Sequence, residues 1–372
     1  MSRGVVYVMA GGTGGHVIPA LAVAEALAAR GYAIRWMGTE RGIESRLVPE
    51  AGYPIDYLRI GGLRGKGLAT RLAAPFRLLG AVWQALRLLG RHRPVLVIGM
   101  GGFAAGPGGL AAWLTRRPLV IHEQNAIAGL TNRVLSRLAR ETLAAYPKAF
   151  GAPLPDSRVV GNPVRGEIEA LPAPAERLAG RGGPVRVLVL GGSLGAQALN
   201  QAVPEALARI SRTTDLEVRH QAGSRHVETA EAHYAGTDWG AGGRHQVSGF
   251  VSDMAEAFGW ADFVIARAGA MTVAEIAAAG IGALFIPFPH AVDDHQRFNA
   301  AWLVDQGAAR LLTQPEADVE RLVALLGPLL GDRDVLLHMA GRARAASVPD
   351  STGRIAAICE QTIDGAAPGE NA

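Results

Sequence analysis

The sequence predicts an α/β protein with two Rossmann-like domains, each built on a doubly wound parallel sheet and facing the other across a cleft. Three observations support this fold class. Apolar runs of strand length alternate with helical patterns along the chain, as in parallel sheets covered on both faces. Glycine-rich segments follow several of these runs. The succession of strand, glycine loop and helix at residues 4–27 returns at residues 184–207.

The first half of the chain contains four strand-like runs and two clear helical patterns between them. The strands are predicted at residues 5–10, 33–38, 95–100 and 118–123, and the helices at residues 17–30 and 108–115. In the second half, further strands after the repeated motif are predicted at residues 216–223, 244–251, 261–269 and 282–289. Ligands are expected at the carboxyl ends of such strands.

A Pro- and Gly-rich stretch at residues 161–185 marks the expected seam between the domains. We predict an N-terminal domain over residues 1–163 and a C-terminal domain over residues 164–363. The last helix is expected to pack back on the N-terminal domain. The residues 364–372 are predicted to form a disordered tail, because they are small, polar and terminal.

Composition narrows the functional classes. Among 372 residues there is one cysteine, Cys359, so an intramolecular disulfide is excluded and a reducing cytosol is indicated. We expect no secretory signal and no membrane span, since no apolar stretch reaches about 18 residues.

Charge is distributed unevenly along the chain. Residues 1–163 hold 20 Lys and Arg against 8 Asp and Glu, whereas the remainder holds 17 against 25. The basic half includes residues 68–94, where Leu, Phe and Trp recur at helical spacing with Arg between them. Such a helix either forms a solvated basic face or attaches to an anionic membrane surface. For residues 64–93 we predict the membrane role.

Three glycine loops, at residues 10–16, 99–109 and 191–197, each follow a strand and precede a helix. Glycine allows close approach of a ligand, and a helix N-terminus attracts anions. None of the loops matches G-x-G-x-x-G well, which disfavours a dinucleotide-dependent oxidoreductase. The first loop carries a histidine, His16, where the third carries Ser193.

Other polar residues also follow predicted strands. Glu275, in the loop and helix at residues 267–280, suits a ribose because a carboxylate accepts from two hydroxyls, although a helix-dipole role is the alternative. The pair at residues 293–294 favours helix N-capping over a metal site. Further candidates for ligand contact, weighed against ordinary surface roles, are His122, Glu123, Gln124, Asn125, Arg165, Gln296 and Asn299.

Eight motifs taken together resemble the MurG family of peptidoglycan glycosyltransferases (glycosyltransferase family 28). They are GGTGGH, GLRGKG, GMGGF, HEQNAIAGLTNR, GNPVR, GGSLGAQ, RAGAMTVAEI and AVDDHQ, all in this order within residues 11–299. The resemblance implies a GT-B fold and inverting transfer of N-acetylglucosamine from its UDP form. The acceptor would be the muramoyl 4-hydroxyl of undecaprenyl-diphosphoryl-muramoyl-pentapeptide, at the cytoplasmic face of the bacterial inner membrane. No metal, cofactor or nucleic acid is implied.

The resemblance also implies residue roles. The C-terminal domain would hold the donor: Ser193 at the diphosphate, Val251 after Phe250 at uracil, Glu275 on the ribose and Gln296 at the sugar. The nucleoside segment would comprise Ala270, Met271, Thr272, Val273, Ala274 and Glu275. In the N-terminal domain the residues by the transferred sugar would be Thr13, Gly14, Gly15 and Asn125, with Arg165 near the phosphates.

We expect His16 to be the general base, because imidazole titrates near neutral pH and this loop belongs to the acceptor domain. Its alternative role is to bind a phosphate or position the acceptor. The candidate catalytic residues are therefore His16, Asn125 and Glu275. Three other functions stay open: an inverting transferase of the same fold for a different acceptor, the oxidoreductase, and a non-catalytic nucleotide-sugar binding protein.

Overall fold

A computed structural model describes residues 2–61, 74–192, 196–239, 244–291 and 294–366. The chain divides into two compact units. Unit 1 comprises Met1–Val164 with Asp350–Ala372, and unit 2 comprises Arg165–Pro349. Within the described ranges, no helix is long and apolar enough to cross a membrane.

Unit 1 is built on a six-stranded sheet in which all paired neighbours are parallel. Its strands are β1 (Val5–Met9), β2 (Ala33–Gly38), β3 (Ile55–Tyr57), β4 (Leu96–Gly99), β5 (Leu119–Glu123) and β6 (Glu141–Ala144). Its helices are α1 (Gly14–Ala29), α2 (Glu44–Glu50), α3 (Ala74–His92), α4 (Ala105–Leu114), α5 (Leu130–Leu135) and α15 (Ser351–Asp364). The strand order is β3-β2-β1-β4-β5-β6.

Unit 2 repeats this plan with parallel strands in the order β12-β11-β10-β7-β8-β9. Its strands are β7 (Val185–Leu190), β8 (Leu216–Gln221), β9 (Arg244–Ser248), β10 (Phe263–Ala266), β11 (Gly282–Phe285) and β12 (Ala309–Leu311). Its helices are α6 (Gly166–Glu169), α7 (Pro174–Leu178), α8 (Gln197–Ile210), α9 (Val227–Ala235), α10 (Met254–Trp260), α11 (Ala270–Ala279), α12 (His295–Asp305), α13 (Val319–Leu330) and α14 (Arg333–Ala346).

The sheet order places one switch point between neighbouring strands in each unit. In unit 1 the chain runs outward from β1 to β3 and then returns to β4 on the other side of β1. In unit 2 it runs outward from β7 to β9 and returns to β10. Adjacent parallel strands whose connections leave in opposite directions open a crevice at their carboxyl ends. The glycine loops after β1, β4 and β7 all begin at these switch points.

The prediction of two doubly wound parallel sheets is confirmed, but three strands were missed: β3, β6 and β12. They have the sequences IDY, ETLA and ARL, and each lies at the edge of its sheet. Edge strands are short and tolerate polar residues because one side has no partner strand. The central strands were found because burial on both faces requires an unbroken apolar run, as in β1 and β7.

The last helix, α15, belongs to unit 1. Its residues Ile355, Ala356 and Cys359 are fully buried in the same core as Val6 of β1. Glu360 forms ion pairs with Arg3 at 2.5 Å and with Arg30 at 3.1 Å. Apolar burial and these pairs hold the end of the chain against α1.

Candidate active site

The first glycine loop, residues 10–16, joins β1 to α1. Gly12 has a φ of +91°, a conformation that favours glycine. The Thr13 carbonyl accepts a hydrogen bond from the His16 backbone N–H at 3.1 Å, which closes the first turn of α1. The structure brings together four predicted site residues at the carboxyl end of β1: Thr13, Gly14, Gly15 and His16.

A buried carboxylate that the sequence analysis missed, Glu44, holds this loop. Its side chain is fully buried. One carboxylate oxygen accepts from the Gly12 N–H at 2.9 Å, and the other accepts from the Thr39 N–H at 2.9 Å and the Thr39 hydroxyl at 2.7 Å. A Cβ at Gly11 would lie 2.5 Å from this carboxylate. Glu44 lies six residues after the end of β2, between Ile43 and Ser45, so no local pattern in the sequence distinguishes it from a surface glutamate.

His16 is half-buried and is held by Gln124. The Gln124 amide nitrogen donates to the Met100 carbonyl at 3.0 Å, so its oxygen faces His16 Nδ1 at 3.3 Å. Because that oxygen only accepts, Nδ1 is the donor in this contact, and in a neutral imidazole the lone pair is then on Nε2. Gly101, with a φ of +98°, allows this approach: a Cβ there would lie 2.6 Å from Nδ1.

Asn125 is oriented by its neighbour Glu123. One Glu123 carboxylate oxygen accepts from the Asn125 backbone N–H at 2.9 Å and from its side-chain amide at 3.1 Å. The other accepts from the Gly129 N–H at 3.2 Å and the Asn132 amide at 2.9 Å. Glu123 therefore ties the segment after β5 to the start of α5, while Asn125 stays half-buried.

The expectation that His122, Glu123 and Gln124 contact a ligand is wrong, because all three side chains are buried, at 0%, 2% and 0% exposure. His122 Nε2 lies 2.9 Å from the Gly161 carbonyl. Burial lowers the pKa of His122 to about 4, so it is neutral near pH 7. These three side chains therefore belong to the interior beneath the site. Of the four predicted residues in this segment, only Asn125 is partly exposed.

In unit 2, Glu275 lies in the second turn of α11 and is 8% exposed. This position rules out a first-turn dipole role as the reason for its presence. Arg165 donates to one Glu275 oxygen from Nε at 3.1 Å and from Nη2 at 2.8 Å. Burial raises the pKa of Glu275, and Arg165 opposes that shift. Arg165 was expected near phosphates, and here it is paired with the proposed ribose ligand.

The helix that carries Glu275 is anchored at its far end. Arg177 donates to the Ala279 carbonyl at 2.6 Å and to the Gly280 carbonyl at 2.7 Å. Arg344 donates to the Ala278 carbonyl. Cations at the carboxyl end of a helix satisfy its last carbonyls. These bonds hold α11 in place. The N-terminal part of this helix consists of the predicted residues Ala270, Met271, Thr272, Val273 and Ala274.

The glycine loop of unit 2 begins at Gly191 and Gly192, directly after β7. Gly192 has a φ of +80°. Ser193, the predicted diphosphate ligand, lies outside the described residues, as does the GLRGKG motif. Val251 is half-buried beside Phe250, which is 73% exposed. Both line a pocket together with Gln221, so the segment predicted to meet uracil borders a concave surface.

Predicted sugar contacts at the start of α12 have different outcomes. Gln296 is half-buried, and its side-chain oxygen accepts from the Phe288 N–H at 2.9 Å. Asn299 is fully buried and donates to the Ala268 carbonyl at 3.2 Å, so its predicted role in reading hydroxyls is wrong. Asp294 occupies the N-cap position without a side-chain capping bond and pairs with Arg297 instead. The side-chain capping predicted there is therefore absent at Asp294.

The chain is similar over most of its length to known glycosyltransferases. Residues 6–144 match the glycosyltransferase family 28 N-terminal domain, and residues 186–355 match its C-terminal domain. A UDP-N-acetylglucosamine--N-acetylmuramyl-(pentapeptide) pyrophosphoryl-undecaprenol N-acetylglucosamine transferase of Marinobacter nauticus is 52% identical over 96% of this chain and 97% of its own. The protein of the same name from Alkalilimnicola ehrlichii is 54% identical over 95% and 98%.

Solved structures of glycosyltransferases have the same fold as this chain. The crystal structure of Acinetobacter baumannii MurG superimposes with a TM-score of 0.86 at 41% identity, covering 96% of this chain and all of that one. The calicheamicin glycosyltransferase CalG4 has a TM-score of 0.68 at 18% identity over 98% of this chain and all of its own, which shows a shared fold. Both domain matches are to glycosyltransferases, so the oxidoreductase alternative has no support. The chain is a GT-B glycosyltransferase that belongs to family 28, in its MurG group.

Proposed function

We propose that this enzyme transfers N-acetylglucosamine from UDP-N-acetylglucosamine to the muramoyl 4-hydroxyl of undecaprenyl-diphosphate-linked muramoyl-pentapeptide, with inversion. The observation that carries the proposal is identity above 50%, over nearly the full length of both chains, to proteins whose names state this donor sugar and this acceptor. The geometry of each unit supports a separate part of the reaction.

Unit 2 is assigned the donor. Glu275 is a buried acceptor at the switch point between β7 and β10, suited to two ribose hydroxyls. The Val251 backbone beside Phe250 is assigned to uracil, and the segment at Ser193 to the diphosphate. Arg165 already donates with two nitrogens. When the ribose takes over the Glu275 oxygen, that guanidinium is available for the phosphates of the leaving UDP.

Unit 1 is assigned the acceptor and the base. An acceptor hydroxyl attacks the anomeric carbon, the bond to UDP breaks, and the hydroxyl proton passes to a base. The contact with Gln124 places the proton of neutral His16 on Nδ1 and leaves Nε2 as the basic atom. Gln124 thus acts as a positioning residue for His16. Thr13, Gly14, Gly15 and Asn125 are the assigned neighbours of the transferred sugar.

The membrane assignment rests on α3. Its residues Phe76, Leu79 and Trp83 are 77%, 66% and 53% exposed and recur at helical spacing on one face. Arg87 lies over the Trp83 ring, 3.4 Å from its centroid. The opposite face is buried through Ala81, Val82, Ala85 and Leu89. An exposed apolar stripe with arginines beside it suits an anionic bilayer. The first part of the predicted docking segment, residues 64–73, lies outside the described residues.

Vesicle flotation tests this surface. We expect binding to vesicles containing phosphatidylglycerol and much weaker binding to pure phosphatidylcholine. The double variant Phe76→Ser/Trp83→Ser and charge reversal at Arg71, Arg77 and Arg87 should each reduce flotation about tenfold or more. Phe298→Ser in unit 2, also an exposed phenylalanine, is the matched control. Unchanged flotation of both sets of variants would remove the membrane assignment and, with it, the peripheral location at the cytoplasmic face.

UDP release tests the reaction itself. Purified protein is given UDP-N-acetylglucosamine with lipid-linked muramoyl-pentapeptide, with another polyprenyl or diacylglycerol acceptor, or with none. We expect rapid UDP release only with the first acceptor, and loss of at least about a hundredfold in Glu275→Ala. Equal release with a different lipid would favour the alternative transferase. UDP-sugar binding without release under any condition would favour a binding protein.

A further inference from the structure

One buried side chain of unit 2, Gln221, contacts two loops of the proposed donor site at once. It is the last residue of β8 and is 6% exposed. Its side-chain oxygen accepts from the Gly192 N–H at 3.0 Å. Its amide nitrogen donates to the Gly192 carbonyl at 3.1 Å and to the Gly249 carbonyl at 3.0 Å.

The two contacted glycines precede the two halves of the assigned nucleotide site. Gly192 comes directly before Ser193, in the loop assigned to the diphosphate. Gly249 comes directly before Phe250 and Val251, which are assigned to uracil and line the same pocket as Gln221. The backbone adds to this link, since the Gly191 N–H donates to the Gln221 carbonyl at 3.0 Å. A movement of either loop therefore disturbs bonds that also hold the other.

A carboxamide is the group that meets all three contacts. It has an acceptor oxygen for the N–H and a donor nitrogen for the carbonyls, whereas a carboxylate only accepts. A glutamate would face two carbonyl oxygens and would add a negative charge behind a loop assigned to a diphosphate. A methionine would fill the same space without any of the three bonds.

We propose that Gln221 is a positioning residue that couples the loop at Gly192, assigned to the diphosphate, to the loop at Gly249, assigned to uracil. Through this coupling, the uridine and the diphosphate of one donor molecule bind cooperatively. This inference rests on the proposed donor site in unit 2. It adds a residue that need not touch the donor and acts through the backbone of Gly192 and Gly249.

Isothermal titration with UDP and with uridine tests the coupling. For Gln221→Met we expect the UDP dissociation constant to rise about tenfold, and the uridine constant to rise much less, because uridine uses one loop only. Gln221→Glu should weaken UDP further. Gln246→Glu adds the same charge at an exposed position lining this pocket and keeps the Gln221 contacts, so it controls for charge alone.

Steady-state kinetics give a second measurement. In Gln221→Met the KM for UDP-N-acetylglucosamine should rise, while the KM for the lipid acceptor stays at its wild-type value. Loss of general folding would change both. If wild type binds UDP and Gln221→Met binds UDP and uridine as wild type does, the inference is wrong. If wild type does not bind UDP, the proposed donor site fails instead.

Hydrogen exchange on the wild-type protein tests the coupling without a substitution. Uridine has no phosphate and would contact only the loop at Gly249. Coupling through Gln221 should nevertheless slow amide exchange in the peptide that contains Gly192 as well as in the peptide that contains Gly249. Protection of the Gly249 peptide alone would overturn the inference, even if the variants failed to fold.

Discussion

The two glycine loops that follow β1 and β7 share one local design, yet different side chains hold them. The Gly12 N–H donates to a Glu44 carboxylate at 2.9 Å, whereas the Gly192 N–H donates to the Gln221 carboxamide at 3.0 Å. Both side chains are buried and both serve a glycine with positive φ. A carboxylate behind a loop repels a phosphate, and a neutral amide leaves the positive potential of the following helix intact.

This difference supports the proposal that two loops of similar sequence bind different groups. In the proposed division of roles, the loop of unit 2 takes the nucleotide diphosphate, because the side chain that bonds to Gly192 is neutral. The loop of unit 1 is better suited to uncharged sugar hydroxyls beside His16 than to the phosphate that a glycine-rich turn ordinarily indicates. Two substitutions and a change of pH test the properties of these two units.

The largest effect is expected for His16→Ala. Turnover should fall about a hundredfold or more, because the attacking hydroxyl loses its base, while UDP affinity stays nearly unchanged because unit 2 is untouched. Initial rates of UDP release at saturating donor and titration with UDP measure the two quantities. Wild-type turnover in this variant would remove His16 from the mechanism, and loss of UDP binding would contradict the division of roles between the loops.

The next effect is expected for Glu44→Gln. The introduced amide nitrogen must face the Gly12 N–H or the Thr39 donors, so a buried donor loses its acceptor. We expect the free energy of unfolding to fall by about 2 kcal/mol in urea denaturation, with UDP affinity unchanged. Glu50→Gln makes the same change at an exposed position of α2 and should be nearly neutral. Wild-type stability of Glu44→Gln would show that the charge does not hold the loop.

The smallest effect is expected from mild acid, and it treats the two units alike. Burial lowers the pKa of His122 in unit 1 and of His220 in unit 2 to about 4. The unfolded chain, with a histidine pKa near 6.5, therefore takes up protons that the folded chain does not. Stability is complete above about pH 6.5 and decreases as the pH falls toward 4, by about 1 kcal/mol for each histidine at pH 6.

Urea unfolding at pH 7.5 and at pH 6 measures this acid effect. His122→Gln should remove one histidine's contribution to the pH dependence, and His220→Gln the other, whatever each does to stability at pH 7.5. A wild-type protein whose unfolding is unchanged over this range would contradict neutral burial of both imidazoles.

Much of the candidate site was predictable because its residues follow strands directly. Thr13, Gly14, Gly15 and His16 stand after an apolar run, and parallel strands bring their carboxyl ends to one edge. Residues reached through other elements could not be placed in this way. Glu44 and Gln221 lie in different segments from the loops they hold, and no local pattern marks a side chain by its distant partner. His122, within β5, and Asn299, within α12, show the opposite error, since a polar side chain near the end of a strand or in a following helix can be buried.

The sequence alone determined that the protein has two doubly wound parallel sheets. Apolar runs, glycine turns and amphipathic helices are local patterns, and each can be recognised within one segment of the chain. The sequence also determined the family, because eight motifs occur in order. Tertiary structure alone decided which buried side chain accepts a hydrogen bond from each glycine loop, because residues distant in the chain come into contact only when the strands pair. Burial and hydrogen bonding then decide the charge each loop presents, and so what it can bind.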